Sequence, residues 1–331
     1  MTQGKKTKGK NGQKAVEESK VPETIDIDGV ELPIHDPLPE EQHLIPRVKP
    51  EYRWNKNTFN ICCDILEKKR VLLTGHAGIG KSTIFEQIAA RVTHPIVCFS
   101  LDNEVAVSDF LGKYIAQGGE MIWIDGIFTE AMRKGYWVVL DEIDMAEPNI
   151  LALLNRILET DENYLVLKDK GGEVVKPHPD FRIFATANSV GVMETYRHLY
   201  QGTRPLNQAS LDRFRIYYHP LLDPQDEVDV ILNRTDKFDA SNPAIVALVT
   251  RLVEIANLIR QAFMNEEVEC WFSMRRVFDW AEMIIRHAKR IKSGTPLERV
   301  LHAAEATIFS RIRPEDAVTI EGIITRELGD D

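Results

Sequence analysis

Gly75-His76-Ala77-Gly78-Ile79-Gly80-Lys81-Ser82 follows the apolar run Val71-Leu72-Leu73 and precedes a helical pattern that begins at Thr83. The spacing fits G-x-x-x-x-G-K-[ST], and the flanks supply the strand–loop–helix setting that this motif needs. Glycines let backbone N–H groups turn inward around phosphate oxygens with no Cβ in the way, and the helix N-terminus adds its dipole. Gly75, Gly78, Ile79, Gly80, Lys81, Ser82 and Thr83 are therefore expected to hold a nucleotide. Lys81 is expected on the β- and γ-phosphates, and the Ser82 hydroxyl on Mg²⁺. His76 stands where the motif accepts any residue, and nothing in the sequence gives it a chemical part.

Downstream, short apolar runs alternate with helical patterns, the mark of a parallel α/β sheet. The predicted strands are Val71–Thr74, Ile96–Leu101, Trp137–Leu140, Phe181–Thr186 and Ile216–Tyr218. Between them lie helices over Lys81–Val92 and Pro148–Glu159. Upstream, Phe59, Ile61, Cys62 and Ile65 have helical spacing. Two inserts, Lys113–Ile124 around Gly118-Gly119 and Tyr164–Lys176 around Gly171-Gly172, read as β-hairpins. In the first, Ile115 and Ile122 are expected to pack back onto the domain. After Pro220 the pattern is helical, over Glu227–Leu232, Pro243–Phe263, Met274–Ile291, Pro296–Phe309 and Pro314–Arg326.

The organisation expected is a Lys-rich disordered tail over 1–20, a Pro-rich and irregular strap over 21–57, an α/β nucleotide-binding domain over 58–220 and a helical lid domain over 221–331. The later part of the strap is well placed to close over adenine.

The strand Trp137–Leu140 ends in Asp141-Glu142. An apolar strand ending in two carboxylates, downstream of a phosphate loop, is the arrangement in which Asp141 joins Ser82 in holding Mg²⁺ and Glu142 polarises the attacking water. Asn188, at the end of Ala185-Thr186-Ala187-Asn188, either holds that water against the γ-phosphate or only turns the chain. Arg213, in Leu211-Asp212-Arg213-Phe214, is either a solvated surface residue or a cation that reaches a neighbour's nucleotide. Arg275 and Arg276 open a helix from which either could reach back to the γ-phosphate.

The 331-residue chain is long enough for about two domains. Its formal charge of −10 is uneven. Residues 1–20 hold six Lys against two Glu, a local +4, which leaves −14 for the rest. An acidic body argues against a protein-wide nucleic-acid footprint, although the basic tail admits a nucleic-acid arm beside the simpler reading of a solvated tail. The four cysteines, Cys62, Cys63, Cys98 and Cys270, lack paired metal-ligand spacing and are expected as buried free thiols. No apolar run approaches the roughly 20 residues of a membrane span and no signal-peptide core precedes the strap, so a cytoplasmic protein is expected.

The order of phosphate loop, Asp-Glu strand, Asn188, Leu-Asp-Arg-Phe and helical lid resembles the AAA+ ATPases. More narrowly, Leu140-Asp141-Glu142-Ile143-Asp144 through Leu153-Leu154-Asn155-Arg156-Ile157-Leu158-Glu159 is similar to the MoxR clade. Gly80-Lys81-Ser82-Thr83 with Glu86-Gln87, Pro177-His178-Pro179-Asp180-Phe181-Arg182, Leu199-Tyr200-Gln201-Gly202-Thr203 and Asn207-Gln208 resemble the ATPase subunits of aerobic cobaltochelatases. The likeness covers about residues 58–285. It departs at Ile143–Pro148 and at Ser273-Met274-Arg275, where the family has Ser-Pro-Arg.

The resemblance implies a parallel-sheet core with hairpin inserts and a lid, using ATP and Mg²⁺. It gives Asn188 the sensor-1 role, Arg213 the arginine-finger role and Arg275 the sensor-2 role. It also implies a homo-hexameric ring motor that remodels a partner bearing a von Willebrand A-type domain, as in ATP-driven cobalt insertion into a corrin precursor. The alternative is a phage- or defence-associated motor of the same clade acting on a nucleoprotein.

Overall fold

The computed structural model describes residues 23–101, 106–158, 164–200, 202–290 and 295–329. The Lys-rich segment 1–20 and the predicted helix ends at 159 and 291 lie outside the described residues.

The chain opens with a β-hairpin, β1 (Thr24–Ile27) and β2 (Val30–Pro33), where the composition led us to expect an irregular strap. Asp28 and Gly29 both take left-handed backbone angles, with φ of 54° and 83°. That is the two-residue Asp-Gly turn whose twist suits a hairpin. Ile27, Val30 and Leu32 are buried against Ile61, Cys62 and Ile65 of α1 (Thr58–Leu66). Phe59, one of the four apolar positions that gave this helix its spacing, is 49% exposed.

Next come β3 (Val71–Thr74), α2 (Lys81–Arg91), β4 (Ile96–Ser100) and α3 (Val107–Leu111). The first insert is the hairpin β5 (Gly112–Gln117) and β6 (Glu120–Asp125). Then follow α4 (Ile127–Lys134), β7 (Trp137–Asp141), α5 (Pro148–Ile157), the second hairpin β8 (Leu165–Leu167) and β9 (Glu173–Val175), β10 (Arg182–Ala187), α6 (Gln208–Leu211) and β11 (Arg215–Tyr218). The five central strands are all parallel, in the order β11-β3-β10-β7-β4.

Alternation along these strands divides the core. Val71, Leu73, Trp137, Val139 and Phe184 pack with α1, α2 and the N-terminal hairpin, and Leu72, Val138, Leu140, Ile183 and Ala185 with α4 and α5. Both faces are covered, which is why the strands read as unbroken apolar runs. Phe85 of α2 stacks on Phe184 at 4.3 Å, and Phe184→Ala would cost about 3–5 kcal/mol.

Arg133 of α4 bridges Asp125 at the base of the first hairpin at 2.8 Å and Glu173 at the turn end of the second at 2.6 Å, so the two inserts are tied together. Along the first hairpin, Tyr114, Met121, Ile122 and Ile124 are exposed. Ile122, expected to pack back onto the domain, is therefore on the surface: a two-stranded ribbon has too little neighbouring surface to bury both its faces.

The rest is helical: α7 (Pro224–Asn233), α8 (Pro243–Met264), α9 (Met274–Arg290), α10 (Pro296–Thr307) and α11 (Pro314–Leu328) around a core of their own. A buried fork–fork ion pair holds it, with Arg260 on both Glu227 oxygens at 2.7 Å, while the Arg260 Nε–H donates to the Phe272 carbonyl at 2.8 Å. Cys62 is the one fully buried thiol. Cys63 and Cys270 are half-buried, and Cys98 is exposed at the sheet's edge strand, against expectation. Among the described residues no helix is long and apolar enough to cross a membrane.

Candidate nucleotide site

The phosphate loop leaves the C-terminal end of β3, and Gly75 N–H donates to Ala187 O of the neighbouring strand at 3.3 Å. Gly78 and Gly80 have φ of +69° and +93°, values a side chain would strain. Lys81 opens α2 and is 7% exposed. Its ammonium donates to the carbonyls of Gly75 and His76, both at 2.9 Å, and to Asn188 Oδ1 at 2.7 Å. Burial pulls its pKa down to about 8, against the pull of Asp141, Asp144 and Glu142 in the other direction.

The two acids stand at the end of β7, the strand on the far side of β10 from β3, and are cross-linked to β10. Thr186 Oγ1 donates to Asp141 Oδ1 and accepts from the Glu142 N–H at 3.1 Å. Glu142 is left-handed, with φ 56° and ψ 48°, a conformation that costs a non-glycine residue about 1–2 kcal/mol and turns its carboxylate toward the cleft. Asn188 Nδ2 donates to Glu142 Oε1 at 3.3 Å. Asp144 is fully buried, and its Oδ2 accepts from Asn188 N–H (2.9 Å), Ser189 N–H (2.8 Å) and Ser189 Oγ (2.7 Å). It thereby fixes the backbone that presents Asn188. Thr186 and Asp144 were not singled out from sequence, although both lie inside quoted stretches.

One cleft collects Gly78, Gly80, Lys81, Ser82, Thr83, Asp141, Glu142, Thr186 and Asn188 from the sheet with Arg234, Met274 and Arg275 from the helical part. Arg275 is thus where the sequence expected it, while Arg276 turns away to hydrogen-bond the Cys270 sulfur. Arg234, stacked at 4.6 Å on Phe278, went unnoticed because nothing local marks it.

A second cavity continues past Gly80 and Thr83. Ile79, Tyr52, Arg53, His219, Leu222, Val230 and Met274 line it. Gln87 of α2 anchors this part of the strap by accepting from Lys49 N–H (2.7 Å) and donating to Arg47 O (3.0 Å). Three cations (Lys81, Arg234, Arg275), inward-turned glycines and a hydroxyl beside a carboxylate suit a polyphosphate with its divalent ion. Ser82 and Asp141 are the two side chains that would hold the ion.

Arg213 is elsewhere. It lies between α6 and β11 in a groove with Lys68, Lys69, Arg70, Asp212 and Arg215, at the N-terminal ends of the strands. It donates to the Ala209 carbonyl and is absent from the lining of its own chain's cleft.

A phosphate loop and an acidic strand end at the same edge of a parallel sheet, with one strand between them, define the class, that of P-loop ATPases. Residues 70–214 match the family model described as "AAA domain (dynein-related subfamily)". The chain is 36% identical over 244 residues to the aerobic cobaltochelatase subunit CobS of Sinorhizobium sp, covering 72% of each. It is 26% identical to protein NorQ of Paracoccus denitrificans over 71% of this chain and 77% of that one. It is also 32% identical to midasin of Dictyostelium discoideum over 77% of this chain, which spans only 4% of midasin's length. The chain belongs to the AAA+ ATPases, in their MoxR-like branch with the CobS-type subunits.

Proposed function

We propose that the protein is the motor of a homo-hexameric AAA+ ring that hydrolyses Mg-ATP between subunits and uses the motion to remodel a partner carrying a von Willebrand A-type domain. The observation that carries the hydrolytic part is the Asn188–Glu142–Thr186–Asp141 array beside Lys81. In this reading Gly75, Gly78, Ile79, Gly80, Lys81, Ser82 and Thr83 bind the nucleotide, and the Tyr52–Val230 cavity takes the base.

Ser82 and Asp141 would hold Mg²⁺, which would supply charge neutralisation at the phosphates. Glu142 accepts the proton of the attacking water and Asn188 orients that water; Arg275 meets the γ-phosphate from the lid, and Arg213 serves the next subunit's site. The division into an α/β domain over 58–220 and a lid over 221–331 follows the same reading, because the cleft then opens and closes between them. The exposed face of the first hairpin is assigned to the partner. The relative's identity as a cobaltochelatase subunit supports the kind of work, an ATP-driven rearrangement of a protein complex.

The test is Glu142→Gln in the purified protein. It should bind ATP as tightly as the parent and turn it over at least 10²-fold more slowly. Undiminished turnover would remove the assignment.

A further inference from the structure

Three residues of the phosphate loop, His76 and Ala77, which have no part in the chemistry above, and Gly78, touch elements far from it in sequence. His76 is 2% exposed, and its ring stacks on Trp271 with centroids 3.7 Å apart and planes 12° from parallel. The Trp271 indole N–H donates to the Ala77 carbonyl at 3.0 Å. A Cβ on Gly78 would come within 2.8 Å of Ser273 Cβ, so a glycine is needed where loop and lid pass. On its other side His76 Nδ1 is hydrogen-bonded with the Tyr200 hydroxyl at 2.7 Å, and Phe263 of α8 meets the imidazole edge-on at 5.7 Å. Burial, with the charges of Lys81 and Arg260 behind it, pulls the His76 pKa down to about 4, so two neutral rings stack at neutral pH.

Packing alone would explain a buried aromatic cluster. What marks this one is where its two ends lead. The His76 carbonyl accepts from Lys81 Nζ, the donor that an arriving phosphate would draw away. Trp271 stands four residues before Arg275, in the short link that sets the start of α9 over the cleft. One residue therefore touches the phosphate-binding lysine through its backbone and the lid through its ring.

We propose that His76 and Trp271 form a positioning junction through which occupancy of the phosphate loop sets the placement of the lid, and hence of Arg275 over the cleft. The inference rests on the reading of that cleft as the ATP site. Docking of the lid through the stack holds the loop in its binding shape, and an anion on Lys81 reorganises the His76 carbonyl and shifts the stack. Tyr200 braces the imidazole from the core side.

The experiment pairs Mg-ATP titration with tryptophan emission, taking the Trp271 signal as the difference between the protein and its Trp271→Phe variant. The emission of Trp271 should change on saturation with Mg-ATP. His76→Ala should raise the KM for ATP about tenfold, the size expected for one aromatic stack and one hydrogen bond lost from a two-state lid, with the larger share of the defect in KM rather than kcat. His76→Phe keeps the stack and should recover most of that loss. Tyr200→Phe, which removes a single hydroxyl and no volume, should raise KM by a few-fold and serves where His76→Ala does not fold.

An unchanged Trp271 emission in a protein that binds Mg-ATP would overturn the junction alone. So would His76→Phe no better than His76→Ala, or His76→Ala and Tyr200→Phe with parental KM. Failure of the parent to bind Mg-ATP would instead overturn the reading of the site, and the junction with it.

Discussion

The two ends of the central sheet are built differently. At the C-terminal ends of β3, β7 and β10, the sheet's own polar groups in the cleft hold one another. Lys81 is held by three acceptors, Asp141 and Glu142 by Thr186, and Asn188 by Asp144. At the N-terminal ends, Arg213 sits in an open groove beside Lys68, Lys69, Arg70 and Arg215, with Asp212 and Glu67 as its only acidic lining. The strands between are four to six residues long, so the sheet alone separates the two ends by about 13 Å or more. On the proposed reading the first end is a finished site and the second is half of one, shared with a neighbour. Five basic residues against two acidic ones in that groove leave an excess of positive charge, which on the proposed ring reading would face a neighbour's bound polyphosphate.

That contrast can be broken from either end, and the largest effect belongs to the finished one. Lys81→Ala should abolish nucleotide binding in a direct titration, since it removes the buried ammonium around which the loop closes. Arg213→Ala should leave binding within about twofold and lower turnover by about 10³–10⁵. A binding defect as large as that of Lys81→Ala would mean that the two ends are not distinct in role.

A smaller and reversible effect comes from pH. With its pKa near 8, Lys81 is charged below that value and loses its proton as pH rises through it, whereas bound phosphate would hold the proton on. ATP should therefore bind roughly tenfold more weakly at pH 9 than at pH 7. A flat profile over that range would show the ammonium already fully charged without ligand. The smallest effect is expected at neither end: replacing Gly118-Gly119-Glu120 at the tip of the first hairpin with a neutral linker should change basal ATP turnover by less than about twofold, and a larger change would tie the hairpin to the cleft.

The finished end was largely legible in the sequence because its parts are local. A glycine loop after an apolar run, two carboxylates after another and an asparagine after a third each declare themselves within ten residues. Thr186 and Asp144 escaped notice because their work is hydrogen bonding across strands, visible only once β7 and β10 are paired. Arg234 and the His76–Trp271 stack unite segments more than 150 residues apart, which no local pattern records.

The N-terminal hairpin is a different failure. Asp28-Gly29 between Ile25, Ile27, Val30 and Leu32 carried the signal, but six prolines over the surrounding strap pointed to irregular chain. Phe59, Cys98 and Ile122 share one lesson: apolar spacing identifies an element better than it identifies which of its residues the tertiary structure covers.

The most direct test of hydrolysis between subunits mixes two inactive proteins. Arg213→Ala keeps Glu142 and lacks the cation, while Glu142→Gln keeps the cation and lacks the base. In a mixed ring some interfaces join an intact Glu142 to a neighbour's intact Arg213. ATP turnover of the equimolar mixture should therefore rise well above the average of the two variants alone, and the gain should fall on dilution as the assembly comes apart. Turnover equal to that average at every concentration, in mixtures shown to contain mixed assemblies, would contradict a site shared between subunits.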